Sequence, residues 1–193
     1  FMDRLRPHFM VMGPIERELR KRGDKDGRKI VEFVPAAFSA ASDVLCNQVE
    51  IDTFITTVSP MDRHGWFTFG CNNDYATSVA RAAKRLIVEV NPNLPRTFGD
   101  SLLHISEVDA VIEHEAPLYE TPVRQLSPED VTIGKIISDM VEDGSCLQMG
   151  IGALPNAVCA QLHDRKDLGI HTELLSPGLV DLIECGAVTN RRK

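Results

Sequence analysis

A chain of 193 residues, 43% hydrophobic and 25% charged, has ordinary globular composition and enough length for a sizeable core in one domain or two, so disorder is not its default state. Its formal net charge of −7 argues against a nucleic-acid partner, because phosphate-backbone affinity rests on clustered Lys and Arg. No apolar run approaches the roughly 20 residues that span a bilayer, so no membrane partner is expected.

In chain order, Phe1-Met2-Asp3-Arg4-Leu5-Arg6 lacks both an initiating Met and an apolar signal core, and reads as a cut end. Basic residues between Arg17 and Lys29 are interleaved with acidic ones, as on a solvated surface helix and loop. Ile51 to Val58 is β-branched and apolar and stops at Ser59-Pro60, which predicts a strand. Asp62 to Gly65 supplies turn chemistry before a second β-rich run, Trp66 to Phe69. Helical spacing of Tyr75, Val79, Ala82 and Ala83 predicts a helix over 74–84, with Asn72, Asn73 or Asp74 as its N-cap. A buried strand is expected at Arg85 to Val90. The proline- and asparagine-rich Asn91 to Arg96 must then turn over its end, and another strand is expected at Asp109 to Glu113.

Glu115 to Pro122 reads as an extended linker, which sets expected domains at 1–115 and 127–193 with the connection at 116–126. Ser127-Pro128-Glu129-Asp130 has the form of an N-cap, a first-turn proline and first-turn acids. Ile133, Ile136, Ile137, Met140 and Val141 form the apolar face of the helix that follows, which is expected to end near Gly144. A short strand at Cys146 to Met149 leads into the glycine loop Gly150-Ile151-Gly152-Ala153-Leu154. Pro155 is expected to open a helix reaching about His163. After a turn at Lys166 to Gly169, the alternation of Ile170 to Leu175 suits a strand that carries Glu173 near its carboxyl end. The unit is β-loop-α-β with a crossover long enough for parallel pairing, so the loop and Glu173 should line one crevice.

The cysteines Cys46, Cys71, Cys146, Cys159 and Cys185 are odd in number and without a C-x-x-C pair, which fits reduced thiols in a cytoplasmic protein. His64, His104, His114, His163 and His171 make no metal-ligand spacing, so no metal is expected. Gly150 and Gly152 let a ligand approach the backbone, and the helix start behind them presents N–H donors suited to a pyrophosphate, a carboxylate or an oxyanion. Pro155 occupies the third-glycine position of the dinucleotide fingerprint, and a strand-to-helix turn needing two positive-φ residues explains the loop equally well. Glu173 taken alone reads as an exposed salt-bridging carboxylate.

Gly150-Ile151-Gly152-Ala153-Leu154-Pro155-Asn156-Ala157-Val158 followed by Asp167-Leu168-Gly169-Ile170-His171-Thr172-Glu173 closely resembles the acetyl-CoA hydrolase/transferase family, especially its 4-hydroxybutyrate and butyryl-CoA:acetate CoA-transferase members. Val58-Ser59-Pro60 with Asp62 and His64-Gly65, and Glu89 to Thr97 with Gly99-Asp100, extend the match from about residue 30 to residue 190. The resemblance implies an α/β open sheet of the NagB/RpiA/CoA-transferase type, with most of a first domain and the opening βαβ unit of a second. It implies Glu173 as the nucleophile and Gly150 to Leu154 as the coenzyme A loop. Coenzyme A then serves as a substrate held covalently as glutamyl-CoA, with no permanently bound cofactor.

Ser59 to Gly65 and Asn91 to Arg96 are assigned either to substrate contact, through His64, Asn91 and Pro92, or to turns that shape the strand ends. His171 alternates to the same strand face as Glu173 and either tunes it or is a satisfied core histidine. The implied partners are acyl-CoA and short-chain carboxylic acids, and a homo-oligomer is expected. The rival readings are an acetyl-CoA hydrolase and a non-catalytic CoA-binding module. Family members are longer, with a glycine-containing loop before this chain's start and an oxyanion segment after its end. Weak or no turnover is therefore expected of these residues alone. Met61 stands where many relatives carry proline.

Overall fold

The computed structural model describes residues 6–120 and 122–191. Phe1 to Leu5, Thr121 of the expected linker, and Arg192 and Lys193 lie outside the described residues. The architecture is α/β with parallel strand pairing, in two units, Phe1–Tyr119 and Glu120–Lys193.

In the first unit, β1 (His8–Phe9) pairs in parallel with β2 (Glu32–Phe33) across α1 (Pro14–Lys25). The basic stretch lies on α1 and the turn after it. Only Gly23 of that helix is buried, where a Cβ would stand 2.5 Å from the Arg28 carbonyl. A short α2 (Ala41–Asp43) runs into a π-helical turn over Val44–Gln48. The β-branched run then forms β3 (Thr53–Val58), followed by β4 (Trp66–Thr68), α3 (Ala76–Ala82), β5 (Arg85–Val90), β6 (Leu102–His104) and β7 (Ala110–Glu113).

β5 is the centre of a parallel sheet ordered β3-β5-β7, with Val58 opposite Val90 and Val90 opposite Glu113. β4 and β6 pair antiparallel, with Phe67 opposite Leu103. Val58, Phe67, Phe69, Leu86, Val88 and Leu103 make the core, each fully buried side chain contributing about 1.5–3 kcal/mol. α3 starts at Ala76 with Tyr75 as its N-cap and no side-chain cap, so none of the expected candidates Asn72, Asn73 and Asp74 caps it, and Asn73 bonds elsewhere. Its Nδ2 donates to the Asp100 carbonyl at 2.7 Å and its Oδ1 accepts from Thr77 Oγ1.

The second unit contains α4 (Pro128–Ser138), β8 (Cys146–Leu147), α5 (Ala153–Cys159), β9 (Gly169–Ile170) and α6 (Pro177–Glu184), with β8 and β9 parallel. Ser127 and Asp130 form a reciprocal capping box at the start of α4. The helix stops at Ser138 rather than near Gly144, because Met140 N–H and Val141 N–H bond to Ile137 and Ser138 carbonyls and tighten the last turn.

The expected apolar face of α4 is not its packed face. Ile136 is 54% exposed and Met140 74%, while Gly134 and Ser138 are buried. The reason is close approach to α5. A Cβ on Gly134 would lie 2.9 Å from the Ala157 carbonyl, so only the small-residue side of α4 fits that crossing. α6 meets α5 in the same way, with a Gly178 Cβ placed 2.8 Å from Cys159 Cβ and Gly178 N–H donating to Asn156 Oδ1. α5 is thus gripped between two glycine contacts above a core of Cys159, Leu162, Leu168, Leu179 and Leu182.

Candidate active site

The glycine loop and Glu173 leave the carboxyl ends of adjacent parallel strands, the edge of an α/β sheet where ligands bind. Gly169 N–H bonds to the Ser145 carbonyl and His171 N–H to the Leu147 carbonyl, both at 2.9 Å. Asn190, itself at φ +53°, closes the other edge of β9 by accepting from Ile170 N–H at 2.7 Å.

Three sequence expectations change here. The strand predicted over 170–175 ends at Ile170, so Glu173 sits in a bend beyond the strand, and His171 does not share a strand face with it. Beyond His171 a threonine hydroxyl replaces the ladder: Met149 N–H donates to Thr172 Oγ1 (3.3 Å), which in turn donates to the Met149 carbonyl (3.0 Å). The helix expected to open at Pro155 instead opens at Ala153, with Gly152 as N-cap at φ +125°. Pro155 is accommodated because first-turn N–H groups have no partner within the helix. The expected pair of positive-φ residues reduces to Gly152. Gly150 does not have a positive φ, and a Cβ on it would meet only Pro155 Cγ at 3.8 Å.

The expected single crevice is two hollows of the same unit. Ile151, Gly152, Ala153, Leu154 and Pro155 border one of about 370 Å³ with Arg124 and Ser127. Glu173 borders another of about 360 Å³, whose apolar wall is Ile170, Leu175 and Ile183 and whose polar rim includes His171 and Asn190. The first hollow is bounded by the loop and the start of α4, and the second reaches Ile183 of α6. Glu173 is exposed and takes part in no hydrogen bond or ion pair among the described residues, so the salt-bridge reading finds no partner there. Burial pushes the Cys159 thiol up to about 11, with Asp181 adding to the shift, so this core cysteine stays a neutral packing group.

In the first unit, His64, Asn91 and Pro92 follow the carboxyl ends of β3 and β5. Asn91 is buried, with Nδ2 on the Ala116 carbonyl (2.9 Å) and Oδ1 accepting from Asn93 N–H (3.0 Å), which is the work of a turn clamp. His64 Nε2 accepts from Arg63 Nε at 3.0 Å, and Pro92 is exposed. The two loops are tied through a pair whose bonding the sequence did not disclose. Asp62 Oδ1 accepts from His64 and Trp66 N–H, while Arg96 reaches Asp62 Oδ2 (2.8 Å) and the Trp66 carbonyl (3.0 Å).

Trp66 N–H above all, helped by His64 N–H and Arg96, holds the Asp62 carboxyl below the usual carboxylate range against the opposing effect of desolvation. A depressed folded pKa contributes stability above the ordinary value of about 3.9 and loses it as pH falls through the folded value. Asp62→Asn should therefore lower the urea midpoint by a constant amount between about pH 5 and 7, with the gap to the parent closing below about pH 4. A pH series of urea melts in which the gap widened on acidification would contradict this.

Residues 9–120 match the family model described as the acetyl-CoA hydrolase/transferase N-terminal domain. The succinyl-CoA:cyclohexane-1-carboxylate CoA transferase of Geobacter metallireducens is 44% identical over 197 residues, covering all of this chain and 44% of that protein. The 4-hydroxybutyrate coenzyme A transferase of Clostridium kluyveri is 40% identical over 146 residues, covering 76% of this chain and 34% of that protein. Among solved structures, RipA from Yersinia pestis is 55% identical and superposes with a TM-score of 0.95, covering all of this chain and 45% of that one. The chain spans less than half the length of each of these relatives.

Proposed function

The chain belongs to the acetyl-CoA hydrolase/transferase family, and from that membership we propose that it forms part of an acyl-CoA:carboxylate CoA-transferase working through Glu173. The two units are then most of an N-terminal transferase domain and the start of a C-terminal one. The observation that carries the reading is the exposed carboxylate of Glu173, without a partner among the described residues, following the strand paired in parallel with the one from which the glycine loop departs.

The chemistry is nucleophilic and proceeds in two halves. The Glu173 carboxylate attacks the acyl-CoA thioester carbonyl, and the tetrahedral oxyanion collapses by expelling CoA thiolate and leaving an acyl-glutamyl anhydride. The thiolate then attacks the glutamyl carbonyl of that anhydride, releasing the first carboxylate and forming glutamyl-CoA. A second carboxylate attacks this thioester and carries CoA away by the reverse steps, which restores Glu173. No free energy of the thioester is lost to water. Gly150 to Leu154 bind coenzyme A, and the exposed backbone at Gly150 is where the ligand approaches.

Ile170, Leu175 and Ile183 supply an apolar wall beside Glu173, which supports a short aliphatic acyl group such as butyryl or 4-hydroxybutyryl, with acetate as acceptor. His64, Asn91 and Pro92 are proposed to shape the substrate side of the first unit, Asn91 by fixing its turn. The cysteines among the described residues are free thiols, which supports a cytoplasmic setting.

Acceptor dependence tests the proposal. With butyryl-CoA and the complete gene product, release of butyrate should require acetate and give acetyl-CoA in equal amount, with the parallel double-reciprocal lines of a ping-pong enzyme. Butyrate release at the same rate without acetate would mark a hydrolase instead.

A further inference from the structure

Thr172 occupies a position that neither the strand alternation nor the family likeness singles out. In a parallel ladder, alternate residues of one strand bond to both neighbours of their partner on the other. Extending the rungs already present, Gly169 to Ser145 and His171 to Leu147, would pair Met149 N–H with the His171 carbonyl and Glu173 N–H with the Met149 carbonyl. Thr172 takes both places with one hydroxyl: Oγ1 accepts from Met149 N–H and donates to the Met149 carbonyl. Gln148 Nε2 donates to that same carbonyl at 3.2 Å, so both of its lone pairs are filled and the Glu173 amide has no rung to join.

We infer that Thr172 is a positioning residue: its hydroxyl ends the β8–β9 ladder at Met149, which releases Glu173 from the strand and fixes it beside the departure point of the glycine loop. Gly150 directly follows Met149 and Glu173 directly follows Thr172, so one side-chain contact sets the spacing of the two groups that the transfer must bring onto the same thioester. The inference rests on the proposed role of Glu173 and specifies how that residue is held. With valine at position 172 the hydroxyl is lost, both Met149 groups become available, and the ladder can zip onward and draw Glu173 into it. Serine retains the hydroxyl and with it the stop.

The experiment is rapid-quench intact mass spectrometry of the complete gene product with butyryl-CoA, following the glutamyl-CoA adduct at Glu173 in the parent, Thr172→Val and Thr172→Ser, alongside thermal melts and steady-state kinetics. Misplacing a reacting group by about 1 Å can cost about a hundredfold in rate. The expected result is adduct formation about a hundredfold slower in Thr172→Val, mostly in kcat with KM for butyryl-CoA little changed, and recovery of most of the rate in Thr172→Ser. Equal rates in parent and valine variant, or an equal loss in valine and serine variants, would overturn the positioning role while leaving the nucleophile in place. No adduct at Glu173 in the parent would overturn the functional reading itself and this inference with it. Should Thr172→Val not fold, Thr172→Ala against Thr172→Ser decides by the same comparison.

Discussion

Glu173→Gln is expected to reduce CoA transfer by at least about a thousandfold while leaving the melting temperature within about 2 °C of the parent. Loss of a covalent nucleophile removes the pathway rather than weakening it, and nucleophile deletions elsewhere cost about a million-fold. Glutamine keeps the size and hydrogen-bonding reach of the side chain but cannot form the anhydride. Stability should be indifferent, because Glu173 is exposed and holds no partner among the described residues, and surface substitutions of that kind fall within about 0.5 kcal/mol. Steady-state transfer assays paired with thermal melts check both halves. Activity within tenfold of the parent would remove Glu173 from the chemistry, and a large drop in melting temperature would assign it a structural role instead.

The glycine loop yields the second large effect, and its two glycines should behave in opposite ways. Gly152 has φ +125°, a conformation L side chains rarely adopt, so Gly152→Ala should cost about 1–3 kcal/mol of stability. In a chain of this size that corresponds to a fall of about 2–4 °C in melting temperature per kcal/mol. Gly150 has no such constraint, and alanine there would make only an ordinary contact with Pro155 Cγ at 3.8 Å. Gly150→Ala should leave the melting temperature unchanged or slightly raised, because alanine restricts the unfolded chain more than glycine does.

If coenzyme A lies against that backbone, the added methyl group should raise KM for acyl-CoA about tenfold, the equivalent of about 1.4 kcal/mol of binding. The pair separates a ligand cradle from a simple turn. A Gly150→Ala enzyme with parent-like KM and stability would reduce the loop to a strand-to-helix connection.

What was legible in the chain follows the physics of each segment. Arg85 to Val90 and Ile51 to Val58 declared themselves because β-branched runs flanked by turn residues have few alternatives, and both gave strands of the parallel sheet, the second starting two residues later at Thr53. Ser127-Pro128 marked the start of α4 because capping is local chemistry. Its packed face was not legible. Apolar periodicity pointed to Ile133, Ile136 and Ile137, whereas the crossing with α5 is decided by how near two backbones come, and Gly134 against Ala157 settles that.

The same limit applies around Glu173. Alternation over 170–175 suggests a strand, but a threonine side chain competing with the backbone for Met149 ends it early, and periodicity carries no trace of that competition. The signal that could have found it is the hydroxyl itself, a residue able to bond backbone at the point where the strand had to stop. Asp62 and Arg96 were visible as parts of motifs, while their mutual bond, spanning two loops, was not. The motif bearing Gly150 to Leu154 and Glu173 was readable as a pair. Their departure from neighbouring strand ends is geometry that only the fold supplies.

The most direct measurement of the central claim is the mass of the protein caught during turnover. The complete gene product mixed with butyryl-CoA and quenched should gain the mass of coenzyme A less water, with peptide mapping locating the thioester at Glu173 and Glu173→Gln showing no gain. An unmodified protein during active turnover, or an adduct that persists in Glu173→Gln, would contradict it.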